Sequence, residues 1–325
     1  MSLFGGGSDY PNWYREYGGS VLGFTFNRYC YISVRRLPPF FDHKFRVVYS
    51  YIENVKDVRE IKHPAVRGVL MDMGIHEGLE IHHDGDLPAR SGLGSSSAFT
   101  VGLVHALHAL AGRLRSQREL ADEGIRIEQE VLRENVGTQD QIWAAYGGFN
   151  RIDFFTDGHY EVMPVLLTPE RLCHLQDHFM LFFSGLSRYA SEIAAEQISN
   201  LHRHARCLHR MVSLVNEAAA SLGAPARPLS EIGELLHETW MLKRELASNI
   251  SNETIDDIYK AAREAGAIGG KLLGAGGGGF ILFFAEPEKQ PAVRKALSRL
   301  IEVDFKIERT GSRLVVYEPN GLDHV

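Results

Sequence analysis

Three observations predict an α+β fold in two parts. The chain has 325 residues, more than one small module needs and ordinary for two domains. Strand-like runs rich in β-branched and aromatic residues occur in both halves, whereas long helical patterns crowd the second. Hydrophobic residues make up 44% of the chain and charged residues 23%, a globular balance rather than a disordered or fibrous one.

In the first half, Ser20–Arg36 and Phe45–Tyr51 alternate in part and read as strand, with a further short strand at Leu79–His83. Apolar Val101, Val104, Leu107 and Leu110 recur at helical spacing, giving a helix over Ala98–Arg113. Ser116 followed by Glu119 forms a capping box for a helix from Arg118 to about Glu134. A short helix over Gln141–Tyr146 precedes a strand over Gly148–Phe155. Pro164 and Pro169 punctuate a junction, so the halves are expected to divide into 1–165 and 166–325. The second half opens with the strand Phe179–Phe183. Helices over Ser191–Leu222, Leu229–Ser248 and Thr254–Ala265 follow. A glycine-rich loop, the strand Phe280–Phe284, a helix near Gln290–Ile301 and strands at Phe305–Glu308 and Leu314–Tyr317 close the chain.

Lys and Arg number 35 against 41 Asp and Glu, a formal charge of −6. No basic excess marks nucleic acid or an anionic membrane as partner. The three cysteines, Cys30, Cys173 and Cys207, are scattered without metal-ligand spacing, which suits a reducing, cytoplasmic compartment. The N-terminus lacks a secretory pattern, and no uncharged apolar run is long enough to span a bilayer. His202, His204, Cys207 and His209 cluster in sequence, but His204 leaves the face shared by His202 and His209, so a solvated helix is expected rather than a metal site.

Glycine supplies 32 positions, and 15 of them fall in four short stretches beside apolar segments. The central one, Pro88-Ala-Arg-Ser-Gly-Leu-Gly-Ser-Ser-Ser-Ala98, runs directly into a helix. Glycines let a ligand approach the backbone, the first helical amides are unsatisfied, and the helix dipole adds about half a positive charge, so a phosphate is favoured there. A plain turn with Ser95 as N-cap would need one hydroxyl, not three. Gly274, Gly276 and Gly279 in Lys271–Phe280 satisfy a dinucleotide spacing, but a strand follows where that fingerprint needs a helix. A glycine hairpin or a close backbone contact is expected instead. Gly5-Gly-Gly-Ser-Asp9 is a third loop, ending in a hydroxyl and a carboxylate. Glu128 lies in a charged helix, and Asp140 follows the turn Val136-Gly-Thr-Gln, where it could cap the next helix.

Three of these motifs, in this order, resemble the superfamily of galactokinase, homoserine kinase, mevalonate kinase and phosphomevalonate kinase (GHMP kinases). Pro88–Ala98 resembles its central phosphate loop, Gly274–Gly279 its C-terminal glycine loop, and the loop ending at Asp9 its N-terminal sugar-binding motif. Within the superfamily FGGGSDYP, LPARSGLGSSSAFTVGLVHAL, VGTQDQIWAAYGGFN and KLLGAGGGGF are most similar to the bacterial D-glycero-D-manno-heptose 7-phosphate kinases.

The resemblance implies a ribosomal-S5-like N-terminal half and a ferredoxin-like C-terminal half, with the active site in the cleft between them. It implies ATP-dependent transfer to the anomeric C1 hydroxyl of the heptose 7-phosphate, with ATP and magnesium as cofactors and a monomer or homodimer as the working form. Carried over by position, Asp140 is the general base, and Ser96 and Glu128 hold magnesium, with Glu130 in reserve. Arg90, Ser91, Gly92, Leu93, Gly94, Ser95, Ser96, Ser97, Gly276 and Gly277 contact the triphosphate. Gly6, Gly7, Ser8, Asp9, Asp140 and Gly276 face the sugar, and Arg28, Arg90 and Arg188 are candidates for its 7-phosphate. Family members carry Arg or Lys directly before the residues matching Met1-Ser-Leu-Phe. This sequence opens at Met1, so either a truncated start or another cation is expected. A kinase of an unphosphorylated sugar such as L-fucose, and an idle sugar or nucleotide sensor, are the alternatives.

Overall fold

The computed structural model describes residues 1–88, 91–185 and 190–318. From the N-terminus, β1 (Ser2–Phe4) passes through the first glycine loop to α1 (Pro11–Tyr17), whose Pro11 sits where a missing N–H costs nothing. Next come β2 (Gly19–Phe26), β3 (Cys30–Arg36), β4 (Phe45–Val48), β5 (Ile52–Val55), α2 (Pro64–Asp72), β6 (Leu79–Gly85) and α3 (Ser95–Leu110). The helix α4 (Gln117–Arg126) begins with the expected Ser116–Glu119 capping box and ends in a π-helical turn over Ile127–Val131. Then follow α5 (Gln139–Tyr146), β7 (Phe149–Phe154), β8 (Tyr160–Pro164) and α6 (Pro169–Asp177). The rest is β9 (Phe179–Phe183), α7 (Ala190–Asn200), α8 (Ala205–Gly223), α9 (Ser230–Glu245), α10 (Glu253–Glu264), β10 (Gly269–Leu272), β11 (Phe280–Phe284), α11 (Gln290–Ala296), β12 (Ile301–Glu302) and β13 (Ile307–Glu308).

The strands form three sheets, and the fold is α+β as expected. One runs β1-β2-β7-β8, with β13 also on β2; another runs β3-β6-β4-β5; the third is the antiparallel β10-β11-β9-β12. Both β1 and β13 pair with β2, the first at Leu22–Gly23 and the second at Thr25–Phe26. The closing segment therefore does not stay with the residues after 165 but returns to the first sheet.

Three expected elements differ. Ser20–Arg36 is two strands in two sheets, because the chain turns at Asn27–Tyr29, where Asn27 Oδ1 accepts from the Lys306 N–H (2.6 Å) and the Tyr29 N–H donates to Asp86 (2.8 Å). The long helix over Ser191–Leu222 breaks between α7 and α8, which turns Leu201 into the core and leaves His202 and Arg203 exposed. Leu314–Tyr317 is not a strand: it has no partner edge, and Val315 and Val316 stay 78% and 77% exposed.

Leu3, Phe4, Leu22 and Phe24 of the first sheet pack against Leu214 and Val215 of α8 and against Phe280, Leu282 and Phe284 of β11. Burying large apolar side chains, at roughly 1.5–3 kcal/mol each, clamps β1 onto the C-terminal sheet. Lys271 of β10 also ties the end of β1 to the C-terminal sheet through the Leu3 carbonyl. Among the described residues, no helix is long and apolar enough to cross a membrane.

Candidate active site

The helix α3 starts directly from the central glycine loop. Its N-cap is Gly94 in the left-handed region (φ +71°), with no side-chain cap, so Ser95 is not the cap and the first helical amides keep no side-chain partner. Ser91 is buried with an unpartnered hydroxyl, Ser96 is exposed and Ser97 is buried. An uncapped N-terminus behind a left-handed glycine presents amides and the positive end of the helix dipole to an anion.

Asp140 lies in the first turn of α5, after the N-cap Thr138, and so is not a cap itself. It reaches the anion loop: a Cβ on Gly94 would stand 3.2 Å from its carboxyl carbon. Burial raises its pKa to about 6; the Met1 ammonium and Lys243 oppose this, and Asp9 adds to it. Such a carboxylate is a base poised near neutral pH.

The first loop aims Asp9 at the turn before α5. Asp9 Oδ1 accepts from the Gly7 N–H (2.9 Å), and Oδ2 accepts from the N–H groups of Thr138 (3.2 Å) and Gln139 (3.4 Å). A Cβ on Gly137 would sit 1.9 Å from Oδ2, so only glycine fits there. Burial holds the Asp9 pKa above its ordinary value despite these amide bonds. In this geometry Asp9 fixes the start of α5 and thereby Asp140. Ser8, expected to face the sugar, is fully buried; its hydroxyl lies 2.8 Å from the Gly5 carbonyl and 3.0 Å from the Ser20 carbonyl and accepts from the Ser20 N–H. Its polar capacity is consumed by the backbone. Beside Gly6, by contrast, lie Ser2 Oγ and the Gln139 amide nitrogen, and both Ser2 Oγ and Gln139 Oε1 are buried without a partner. Sequence reasoning singled out neither residue, and their unsatisfied polar atoms become visible only in the fold.

Gly274–Gly279 joins β10 to β11 as a hairpin and also brings its backbone close against the loop before α3, so the hairpin and the close backbone contact occur together. A Cβ on Gly274 would fall 2.4 Å from Gly92 Cα, and one on Gly279 would fall 2.1 Å from the Ser91 carbonyl oxygen. The loop is held by Gln197 on the Ala275 carbonyl (2.6 Å) and by the Gly277 N–H on the Ile250 carbonyl (2.9 Å). Two buried lysines complete the surroundings. Lys243 of α9 donates to the carbonyls of Leu272 (2.9 Å) and Gly274, and Lys271 donates to the Leu3 carbonyl (3.0 Å). Burial lowers both pKa values, that of Lys271 to about 8, while the carboxylates of the site pull them back up.

Glu128 sits in the π-helical turn, the kind of local irregularity that favours functional positions. It is fully buried and accepts from Ser97 (2.8 Å), Thr100 (2.9 Å) and Gln141. Burial raises its pKa to about 7. Of the residues expected to hold magnesium, Glu128 has its hydroxyl partner in Ser97 rather than in Ser96, because successive helical residues point about 100° apart and Ser97 is the serine turned toward the carboxylate, while Ser96 is exposed. Glu130 points to solvent.

Arg28 is also corrected. The strand β2 begins beside Ser8 and runs roughly 20 Å to Phe26, so Arg28 lies at the far end from the first loop, with its guanidinium on the Asp304 carbonyl. Arg90 and Arg188 lie outside the described residues. His202 and His209 pack against α1, the former on Tyr17 and the latter on Trp13 and Tyr17, and the described residues contain no metal-binding cluster of three or more His, Cys, Asp or Glu.

Two family profiles match the chain: one described as GHMP kinases N terminal domain over residues 58–148, the other as GHMP kinases C terminal over residues 216–302. A D-glycero-alpha-D-manno-heptose 7-phosphate kinase from Campylobacter jejuni is 28% identical over 309 residues, 92% of this chain and 91% of that protein. A bifunctional fucokinase/GDP-fucose pyrophosphorylase from Arabidopsis thaliana is 27% identical over 94% of this chain but only 31% of its own length. The crystal structure of a D-glycero-D-manno-heptose 1-phosphate kinase from Bacteroides thetaiotaomicron superposes with a TM-score of 0.76 at 22% identity, covering 96% of this chain and 94% of that one.

Proposed function

Because the chain belongs to the GHMP kinase family, we propose that it phosphorylates the anomeric C1 hydroxyl of D-glycero-D-manno-heptose 7-phosphate with ATP, giving the 1,7-bisphosphate. The observation that carries this reading is Asp140 set against Gly94 of the uncapped phosphate loop, a base beside an anion cradle. The full-length similarity to the heptose 7-phosphate kinase supports the choice of sugar. ATP and the sugar phosphate are the expected small-molecule partners.

In this mechanism the amides of Gly92–Ser97 and the glycine loop hold the triphosphate, and Ser2, Gln139 and the backbone at Gly6 and Gly7 orient the sugar. The C1 oxygen attacks the γ-phosphorus, its proton passes to Asp140, and the bond to the β-phosphate oxygen breaks to release ADP. Asp9 keeps α5 in register throughout. The residues present fit a magnesium ion: Glu128 is a buried carboxylate whose bonding partners are all neutral, and the hydroxyl of Ser96 adds a second hard oxygen donor. Magnesium bound there would neutralise charge on the β- and γ-phosphates. Ser97 and Thr100 orient Glu128.

Steady-state kinetics with the heptose 7-phosphate and with L-fucose test the substrate. A higher kcat/KM for the heptose 7-phosphate is expected, and equal or better turnover of L-fucose would sink that choice. Glu128→Gln should fold and raise the magnesium concentration for half-maximal turnover by at least about tenfold, the scale of loss for even outer-sphere contacts. An unchanged magnesium titration at fixed ATP would remove Glu128 from the metal site.

A further inference from the structure

We infer that Lys243 is a positioning residue that pins the glycine loop onto the phosphate loop and sets its ammonium against Asp140, so that loop placement and base ionisation are coupled. The inference rests on Asp140 being the base of the proposed reaction. Lys243 is 7% exposed and lies in the last turn of α9, far in sequence from both loops. Two of its three protons have named acceptors, the carbonyls of Leu272 and Gly274. Those residues flank Leu273, whose carbonyl oxygen would lie 2.8 Å from a Cβ on Gly92, and Gly274 itself abuts Gly92. Moving Lys243 therefore moves the hairpin off the phosphate loop.

Holding two carbonyls requires only a neutral donor. A buried ammonium is costly unless opposite charge compensates it, and the charges that support Lys243 are Asp140 and Asp9. The cluster contains two acids and two lysines, with Lys271 tied to the Leu3 carbonyl at the base of the first loop. The groups facing Asp140 and Lys243 are Asp9, Lys271, the Met1 ammonium and the Tyr10 hydroxyl. Lys243 bonds the glycine loop directly and also holds Asp140 toward its ionised form, whereas Lys271 bonds the Leu3 carbonyl and the Met1 ammonium the Phe24 carbonyl. Such a lysine is a cation of the reaction site contributed by the C-terminal half of the chain.

Carboxyl carbon NMR of the full chain without sugar tests this, with the Asp140 signal assigned by its loss in Asp140→Asn. The readout is independent of the substrate, so a failed heptose assay leaves it intact. In the wild type, the Asp140 signal should show its main inflection and a second, smaller one where Lys243 loses its proton. Lys243→Gln keeps a donor for the carbonyls but no charge. It should move the main inflection upward by about one pH unit, a tenfold change in the ratio of ionised to neutral forms, and abolish the second. Lys243→Arg should retain the wild-type main inflection. Lys243→Met should also weaken magnesium–ADP binding by about tenfold in calorimetry. A wild-type curve without the second inflection overturns the coupling even if every variant fails to fold. A folded Lys243→Gln with an unmoved main inflection overturns it too, and unchanged magnesium–ADP affinity in Lys243→Met overturns the pinning.

Discussion

Asp140→Asn is expected to lower kcat by about 10³-fold, within the range general-base catalysis contributes, while the protein folds and binds magnesium–ADP as before. The substitution keeps the shape of the first turn of α5, and the Asp9 bonds that hold this turn go to the Thr138 and Gln139 amides rather than to Asp140. What disappears is the acceptor for the sugar proton. The same assignment fixes the pH dependence of the wild type. Asp140 must be ionised to act, and burial places its pKa at about 6. Turnover should therefore hold above that pH and fall about tenfold per unit below it. An Asp140→Asn enzyme retaining more than about a tenth of wild-type turnover would exclude Asp140 as the base.

Gly274→Ala is expected to cost about 3 kcal/mol in stability or, if the loops part to relieve the clash, about 100-fold in magnesium–ADP affinity. Gly274 adopts φ +68°, and its added Cβ would lie 2.4 Å from Gly92 Cα and 2.8 Å from the Gly92 carbonyl oxygen. Both obstacles are backbone of the phosphate loop, which cannot rotate away as a side chain would. Gly74 provides the control. It has nearly the same conformation, φ +65°, yet nothing lies within 4 Å of its added Cβ. Gly74→Ala should therefore cost only the left-handed strain, about 1 kcal/mol, with nucleotide affinity unchanged. Thermal melts and calorimetry on the two variants separate strain from contact. Equal penalties would mean that the loop–loop contact contributes nothing.

The loops of the site were legible in the sequence because their chemistry is local. Gly-x-Gly followed by serines at a helix start, glycines between two apolar strands, and an acid after a turn each declare themselves within ten residues. Strands with continuous apolar runs, Phe179–Phe183 and Phe280–Phe284, match their expected bounds. Elements fixed by distant packing were not legible. Gly269-Gly-Lys-Leu272 carries two glycines and reads as loop, yet it is the strand β10, where a Cβ on Gly269 would lie 1.9 Å from the Gly233 carbonyl oxygen of α9. Lys243 and Lys271 look like ordinary solvated charges, and only their burial makes them part of the site. Arg28 was misplaced for the opposite reason: proximity along an extended strand is distance in space. That Ser97 bonds Glu128 was not legible either, since it turns on a rotation of about 100° per residue and on a helix distant in sequence.

The most direct test of the central claim is phosphorus NMR of the purified chain incubated with magnesium–ATP and D-glycero-D-manno-heptose 7-phosphate. The proposed chemistry predicts stoichiometric ADP and a new sugar phosphate signal coupled to the anomeric proton, with the 7-phosphate signal retained. Unconsumed ATP, or a new phosphate at any position other than C1, would contradict it.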